Sequence, residues 1–232
     1  AETKDPGDDV DGRDACRKIA ILSSLVCGHQ IYPQNIPTRG IRDITVADVA
    51  AAERLNCVIK LIAWMKRGDD GSVAAGVEPC LVPRANQLAS VDDVFNAVLV
   101  KGDMLGDVVF YGKGAGKLPT ASAVVADVID CVKHFKARKY LFWEDAKPNY
   151  VADFGSMETS AFVRVSAKDS DTALNTAADV FGKITPLLAK RPVQGEAGFT
   201  VENLTEKELS DKLAALEARG VKVEGRIRIS DY

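Results

Sequence analysis

The sequence is poor in the residues that most often build catalytic or metal centres. It has only two histidines, His29 and His134. That excludes a histidine-rich metal site, and neither has a serine or cysteine beside it in sequence to activate. The five cysteines, Cys16, Cys27, Cys57, Cys80 and Cys131, are odd in number, widely scattered and without a CxxC pair. Four of them lie in apolar segments, where free cysteine behaves as a small hydrophobe. This pattern argues against a disulfide frame or zinc site and for reduced thiols in a cytoplasmic protein. No apolar run approaches the roughly 18 residues of a membrane span. A net charge of −3 offers no basic surplus for nucleic acid or an anionic membrane. An initial methionine and a charged-then-apolar leader are also absent from AETKDPGDD, which reads as a piece of a longer protein.

What remains is an ordinary globular composition, 47% apolar and 27% charged, over 232 residues, enough for one large domain or two smaller ones. The segment DACRKIAILSSLVC places Ala15, Ile19, Leu22 and Val26 on one helical stripe, with Gly28 as a stop. TVADVAAAERLN is a second helix opened by Thr45. CVIKLIAWMKR, SVAAGVEPCLV, VFNAVLVKG and DVVFYGK are rich in valine and isoleucine and separated by GDDG and GDMLGD, so they read as strands of a mostly antiparallel sheet. LPTASAVVADVIDCVKHF returns to helix.

Residues 144–158 are polar and broken by proline and glycine, which places a boundary there. The chain thus divides into a domain over 1–143, a linker over 144–158 and a second domain over 159–232. In the last, SAFVRVSA, DSDTALNTAADVFGKI, TPLLAKRP, EAGFTVEN, TEKELSDKLAALEARG and VKVEGRIRIS follow the order β-α-β-β-α-β. Thr205 and Glu208 form a capping-box pattern in the second helix, and Gly220 ends it. The fold class is α+β: a mixed or antiparallel sheet with helices on one face, then a small ferredoxin-like module.

Two stretches carry candidate chemistry. In DPGDDVDGRDACRKIAIL, Asp14 and Lys18 stand one helical turn apart at the mouth of an apolar helix. A helix apolar nearly all round is buried, which puts Lys18 at the rim of a low-dielectric pocket, suited to proton donation. The alternative is an exposed ion pair contributing about 0.2–0.5 kcal/mol. The second stretch, YGKGAGKLPT, follows a strand and opens a helix, so its amides suit an anion. It has neither P-loop nor GxGxxG spacing, and a glycine turn made for tight packing serves equally well.

Four segments in order, DPGDDVDGRDACRKIAIL, GIRDITVADVAAAERL, LASVDDVFNAVLVKGD and FYGKGAGKLPTASAVVADVID, closely resemble the homoserine dehydrogenase family over about residues 1–133. That resemblance implies reduction of aspartate semialdehyde to homoserine with NADP or NAD as cofactor. The route leads to threonine, methionine and isoleucine. It also implies a homodimer and an N-terminal dinucleotide-binding domain that this sequence lacks. By resemblance, Lys18 is the proton donor, and Glu2, Asp8 and Asp14 bind substrate. Gly116 lies near the cofactor, and Thr120 and Ala121 open the helix facing the dinucleotide domain. No metal is implied.

One departure is NQLA for the family's usual HPLA, which puts Asn86 where a histidine is common. The second domain stands where many such enzymes carry an ACT-type regulatory domain, with an amino-acid effector such as threonine. Its first strand–helix turn reads KDSDTALNT, without the glycine of the usual D-x-P-G-V-L. A reading from another class is a non-catalytic dimerisation and amino-acid-binding module.

Overall fold

The structure, a computed structural model, describes residues 5–137, 144–145, 151–187 and 193–230. The chain opens with a single turn, α1 (Gly7–Val10), then α2 (Arg13–Cys27) and a two-residue strand, β1 (His29–Gln30). Gly12, at φ +77, makes the bend between the helices; a Cβ there would press on Thr38 and Val77 at 3.2 Å. Helix α3 (Val46–Arg54) follows, begun by a capping box between Thr45 and Asp48. Strands β2 (Cys57–Arg67) and β3 (Val73–Pro83) form an antiparallel hairpin with register Trp64↔Gly76. Gly76 is required there, because a Cβ would lie 2.9 Å from the Trp64 ring.

Next come β4 (Phe95–Gly102), β5 (Gly106–Lys113), α4 (Lys117–Lys133) and the short β6 (Glu144–Asp145), which pairs in parallel with β1. The remaining elements are β7 (Glu158–Ser166), α5 (Ser170–Phe181), β8 (Thr185–Leu187), β9 (Glu196–Thr205), α6 (Glu206–Ala218) and β10 (Lys222–Ile229). The expected β-α-β-β-α-β order is therefore present, and the Thr205–Glu208 capping box is formed. The expected strand over TPLLAKRP is β8 at its start, while residues 188–192 lie outside the described residues.

The sheet differs from the sequence expectation in two ways. Strands β4 and β5 pair only with each other among the described residues, so the four strands of 57–113 do not share one sheet. The larger sheet runs β2-β3-β10-β7-β9-β8, with β10 joined to β3 in parallel through Arg228↔Cys80 and Ile229↔Leu81. By packing, the chain divides into two compact units, Ala1–Pro83 with Trp143–Tyr232, and Arg84–Phe142. This departs from a boundary at 144–158, and the β3–β10 seam is the physical reason: it carries one ladder across the linker. No local pattern encodes a pairing about 150 residues apart along the chain, which is set by what each strand buries.

Three clusters form the core of the first unit. Val163, Val165, Phe199 and Val201 of the sheet pack on Ala173, Ala177 and Phe181 of α5 and Leu209 and Leu216 of α6. Cys16 and Ala20 of α2 pack with Ile31, Ile36, Ala75 and Val77. Ala51 and Ala52 of α3 pack with Cys57, Leu81, Phe162 and Ile227, so this third cluster holds α3 against both parts of the sheet. Among the described residues, no helix is long and apolar enough to cross a membrane.

Candidate functional site

The predicted buried helix is corrected by α2. Its buried residues are Cys16, Ala20, Ser23 and Ser24; of the predicted stripe, Ala15 and Ile19 are half-buried against the same cluster, while Leu22 and Val26 are exposed. Ser24 Oγ donates to Ala20 O at 2.7 Å and accepts from Ile31 N at 2.8 Å, so a hydroxyl is satisfied at the packed face. Ile21, Leu22, Leu25 and Val26 are instead exposed, by 39–58%.

Lys18 shares that open face. Its side chain is 65% exposed, and Nζ lies 2.8 Å from Asp14 Oδ2. The low-dielectric rim expected around it is thus not formed by the described residues. The reason is geometric: the helix packs through its small side chains, and the large aliphatic ones point away.

The acidic cluster is ordered by arginines that the sequence reading passed over. Asp8 accepts from Arg17 Nη1 at 2.8 Å and faces Arg13 Nε at 3.0 Å. The Arg17 hydrogen bond, aided by the charges of Arg17 and Arg13, holds the Asp8 carboxyl below its usual value. Asp14 adds its charge to that of Asp8 in raising Arg17. Arg17 therefore ties Asp8 to the Asp14–Lys18 pair, and three of the predicted residues fall in one exposed cluster. Arg13 and Arg17 had a legible signal in their own i,i+4 spacing after the run of aspartates. Asp11 pairs with Arg13 and Arg42 and ties α1 to the 39–44 loop. Glu2 lies outside the described residues. Beside the arginines, a pocket of 430 Å³ is lined by Arg13, Cys16, Arg17, Pro33, Ile36 and Thr38.

Gly116, Thr120 and Ala121 belong to the second unit. Gly116 precedes α4 at φ +118, a conformation open to glycine alone, and Thr120 N bonds back to its carbonyl at 3.1 Å. Thr120 and Ala121 are exposed, and no residue of α4 is buried, with Leu118 79% and Val132 71% exposed. Asn86 caps a short turn, accepting from Leu88 N at 2.8 Å, which accounts for an asparagine at that position.

The chain thus carries an exposed acidic–basic cluster at the start of α2 and a glycine-opened helix at α4. A family model described as homoserine dehydrogenase matches residues 1–129. The chain belongs to the homoserine dehydrogenase family. Homoserine dehydrogenase of Synechocystis is 50% identical over 131 residues, covering 55% of this chain and 30% of that protein. The enzyme of Neisseria gonorrhoeae is 34% identical over 235 residues, covering 92% of this chain and 52% of its own length. The crystal structure of a homoserine dehydrogenase from Thiobacillus denitrificans superposes with a TM-score of 0.81 at 33% identity, over 100% of this chain and 56% of that one. This homoserine dehydrogenase family chain thus spans about half the length of the relatives it matches.

Proposed function

We propose that this chain is the substrate-binding and dimerisation part of a cytoplasmic NADP- or NAD-dependent enzyme that reduces aspartate semialdehyde to homoserine, on the route to threonine, methionine and isoleucine. The observation that carries this reading is the Asp14–Lys18 pair at 2.8 Å, within the segment matched by the family model. A nicotinamide, when bound, would supply the hydride to the aldehyde carbon. Lys18 Nζ donates a proton to the aldehyde oxygen, which hydride addition alone would turn into an unstable alkoxide. Asp14 holds the ammonium in place, and the carboxylates of Asp8, Asp14 and Glu2 suit the ammonium group of the substrate.

The cofactor is assigned to Gly116, Thr120 and Ala121. Gly116 has no Cβ to block a close approach, and the first amides of α4 have no partner within the helix, which suits an anionic group. The exposed aliphatic faces of α2 and α4 are of the kind a soluble protein covers. A dinucleotide-binding domain laid on α2 would also desolvate Lys18. The β-α-β-β-α-β part is assigned as a ferredoxin-like, ACT-type regulatory module for an amino-acid effector such as threonine. Its strand order, β10-β7-β9-β8, supports this.

The 65% exposure of the Lys18 side chain favours a second reading for the chain by itself, a non-catalytic dimerisation and amino-acid-binding module. One assay separates the two. The chain alone is expected to show no homoserine-dependent reduction of NADP or NAD, and fusion behind a dinucleotide-binding domain of the family is expected to restore it. Failure of the fusion to turn over, with both parts folded, would leave the module reading.

The resemblance implies a homodimer, and a sheet over residues 57–110 would offer it both an edge and a face. Since those strands form two separate hairpins, the assignment now rests on β4–β5, where Val98, Val100, Phe110 and Tyr111 are 42–65% exposed. Sedimentation equilibrium should give a dimer that Phe110→Lys dissociates; a monomer at all concentrations would exclude it.

A further inference from the structure

Glu78 is a carboxylate that the proposed chemistry does not use, buried on β3 with its side chain 5% exposed. It stands between two arginines from distant parts of the chain. Arg39 Nη2 donates to Glu78 Oε2 at 3.2 Å, and Arg228 Nη1 of β10 lies 3.6 Å from Glu78 Oε1. Arg228 Nη1 also donates to Glu206 Oε1 at 3.3 Å, in the first turn of α6, and its Nη2 to Glu158 O of β7 at 2.8 Å. Arg226 lies 3.3 Å from Glu206 Oε2, so each guanidinium faces a carboxylate and the network is paired within itself. The Trp64 ring of β2 covers the Arg228 guanidinium, 5.1 Å from the ring centroid.

The network fixes geometry more than it adds stability. Glu78 Oε1, Arg228 Nε and Arg39 Nε are buried without a hydrogen-bond partner. Burial, and then the Glu206 charge, raise the Glu78 carboxyl above its usual value, opposed by Arg39, Arg228 and Arg226. A buried ionic network so incompletely bonded stabilises little. Its arms, however, reach two different places. Arg39 belongs to the segment on which α1 rests. Arg39 N donates to Val77 O at 2.7 Å and Val77 N to Pro37 O at 2.9 Å, which lays residues 37–39 along β3. At Gly40 the segment meets the end of α1 so closely that a Cβ would collide with Val10 O. Ile41 N donates to Val10 O at 2.9 Å, and Arg42 pairs with Asp11. Helix α1 in turn carries Asp8, which Arg13 and Arg17 hold against α2.

We propose that Glu78 is a positioning residue that fixes α1, and with it Asp8, relative to the β-α-β-β-α-β part of the chain. A displacement at the start of α6 pulls on Arg228 through Glu206, Arg228 pulls on Glu78, and Glu78 pulls on the 37–42 segment through Arg39. The consequence for substrate rests on the reading above, in which Asp8 binds it; the positioning itself does not.

Backbone amide shifts of the chain itself test this with Glu78→Gln, which keeps the shape of the side chain and removes its charge. Shifts are expected at residues 37–42 and also at 7–12, beyond the contacts of Glu78. Glu206→Gln, on α6, should move the amides of 7–12 too, and should move them no further in the Glu78→Gln background, where the link is already cut. Arg39→Gln, at a side chain 34% exposed, breaks the same link and serves where Glu78→Gln perturbs folding. In the enzyme joined to a dinucleotide-binding domain, Glu78→Gln should raise KM for the aldehyde about ten-fold while kcat and the cofactor KM hold. The amide measurement decides the positioning whether or not that enzyme turns over. Moved amides with an unchanged KM would keep the positioning and take substrate binding away from Asp8. Unmoved amides at 7–12 in both Glu78→Gln and Arg39→Gln, or equal shifts from Glu206→Gln with and without the Glu78 carboxylate, would each overturn it.

Discussion

Replacing Arg164 by alanine is expected to lower the folding stability of the protein by about 3–5 kcal/mol at neutral pH. Arg164 sits on β7 with its side chain 10% exposed, against Asp48 at 2%. Its Nε donates to Asp48 Oδ1 at 3.0 Å and its Nη2 to Asp48 Oδ2 at 3.3 Å, the two-point geometry that only a guanidinium provides. Nη2 also donates to Thr45 Oγ1 at 3.1 Å, and Nη1 reaches Glu196 Oε2 at 3.4 Å. The same Asp48 carboxylate closes the α3 capping box, accepting from Thr45 N at 2.8 Å. Truncating Arg164 therefore strands a buried carboxylate and loosens the α3 N-terminus from the sheet.

The pH dependence has a definite sign. Burial acts to raise the Asp48 carboxyl, but the hydrogen bonds from Arg164 and Thr45 and the Arg164 charge outweigh it and hold it below the usual value. A carboxyl lowered in the fold adds stability above its unfolded value of about 4, and that stability is lost as pH falls through the lower folded value. Without Arg164, only the Thr45 hydrogen bonds oppose burial, and the carboxyl rises. The gap between native and Arg164→Ala proteins should then be widest near neutrality and close as pH falls below about 4. Denaturant unfolding from neutral to acid pH measures this. The double change Arg164→Met with Asp48→Asn leaves no buried charge and should recover much of the loss. A cost under about 1 kcal/mol for Arg164→Ala would place the pair among exposed ion pairs.

The parts of this fold legible in the sequence are those governed by neighbours along the chain. Thr45 as the residue opening α3 and the capping box at Thr205 are set by neighbours within three positions, and both form. Hairpin β4–β5 is bounded by its own glycines, and its ends were readable from them. What the sequence hid was long-range. The β3–β10 ladder, and Arg164 meeting Asp48 across 116 positions, follow from which surfaces bury together rather than from any spacing. The α2 helix shows the limit within a single element. Hydrophobicity alone put Leu22 and Val26 inward, yet Cys16, Ala20, Ser23 and Ser24 take the contact, since small side chains let the helix approach the sheet closely. The Lys18 position was therefore read correctly as a helix-start pair and incorrectly as a rim residue. The exposed Ile21, Leu22, Leu25 and Val26 lie on the face opposite that contact, and Lys18 shares it with them.

Once the chain is joined to a dinucleotide-binding domain and active, Lys18→Ala is expected to lower kcat by about 10²–10⁴-fold, the range of general acid catalysis. The Michaelis constant for cofactor should change little, because Gly116, Thr120 and Ala121 are untouched. The fold should be indifferent to the change. Alanine is the best helix former, and an exposed Lys18–Asp14 pair contributes only about 0.3–0.5 kcal/mol. Loss of rate with an unchanged unfolding midpoint is thus the signature that separates a proton donor from a surface charge. Lys18→Arg sharpens it: arginine keeps the cation beside Asp14 but does not release its proton in proteins, so it should restore substrate binding and not turnover. On the proposed reading, in which Asp14 contacts substrate and fixes the ammonium, Asp14→Asn should raise KM for the aldehyde and lower kcat together. If Lys18→Ala kept near-native turnover with the helix intact, the 2.8 Å pair would be an ordinary surface ion pair and proton delivery would fall to another group.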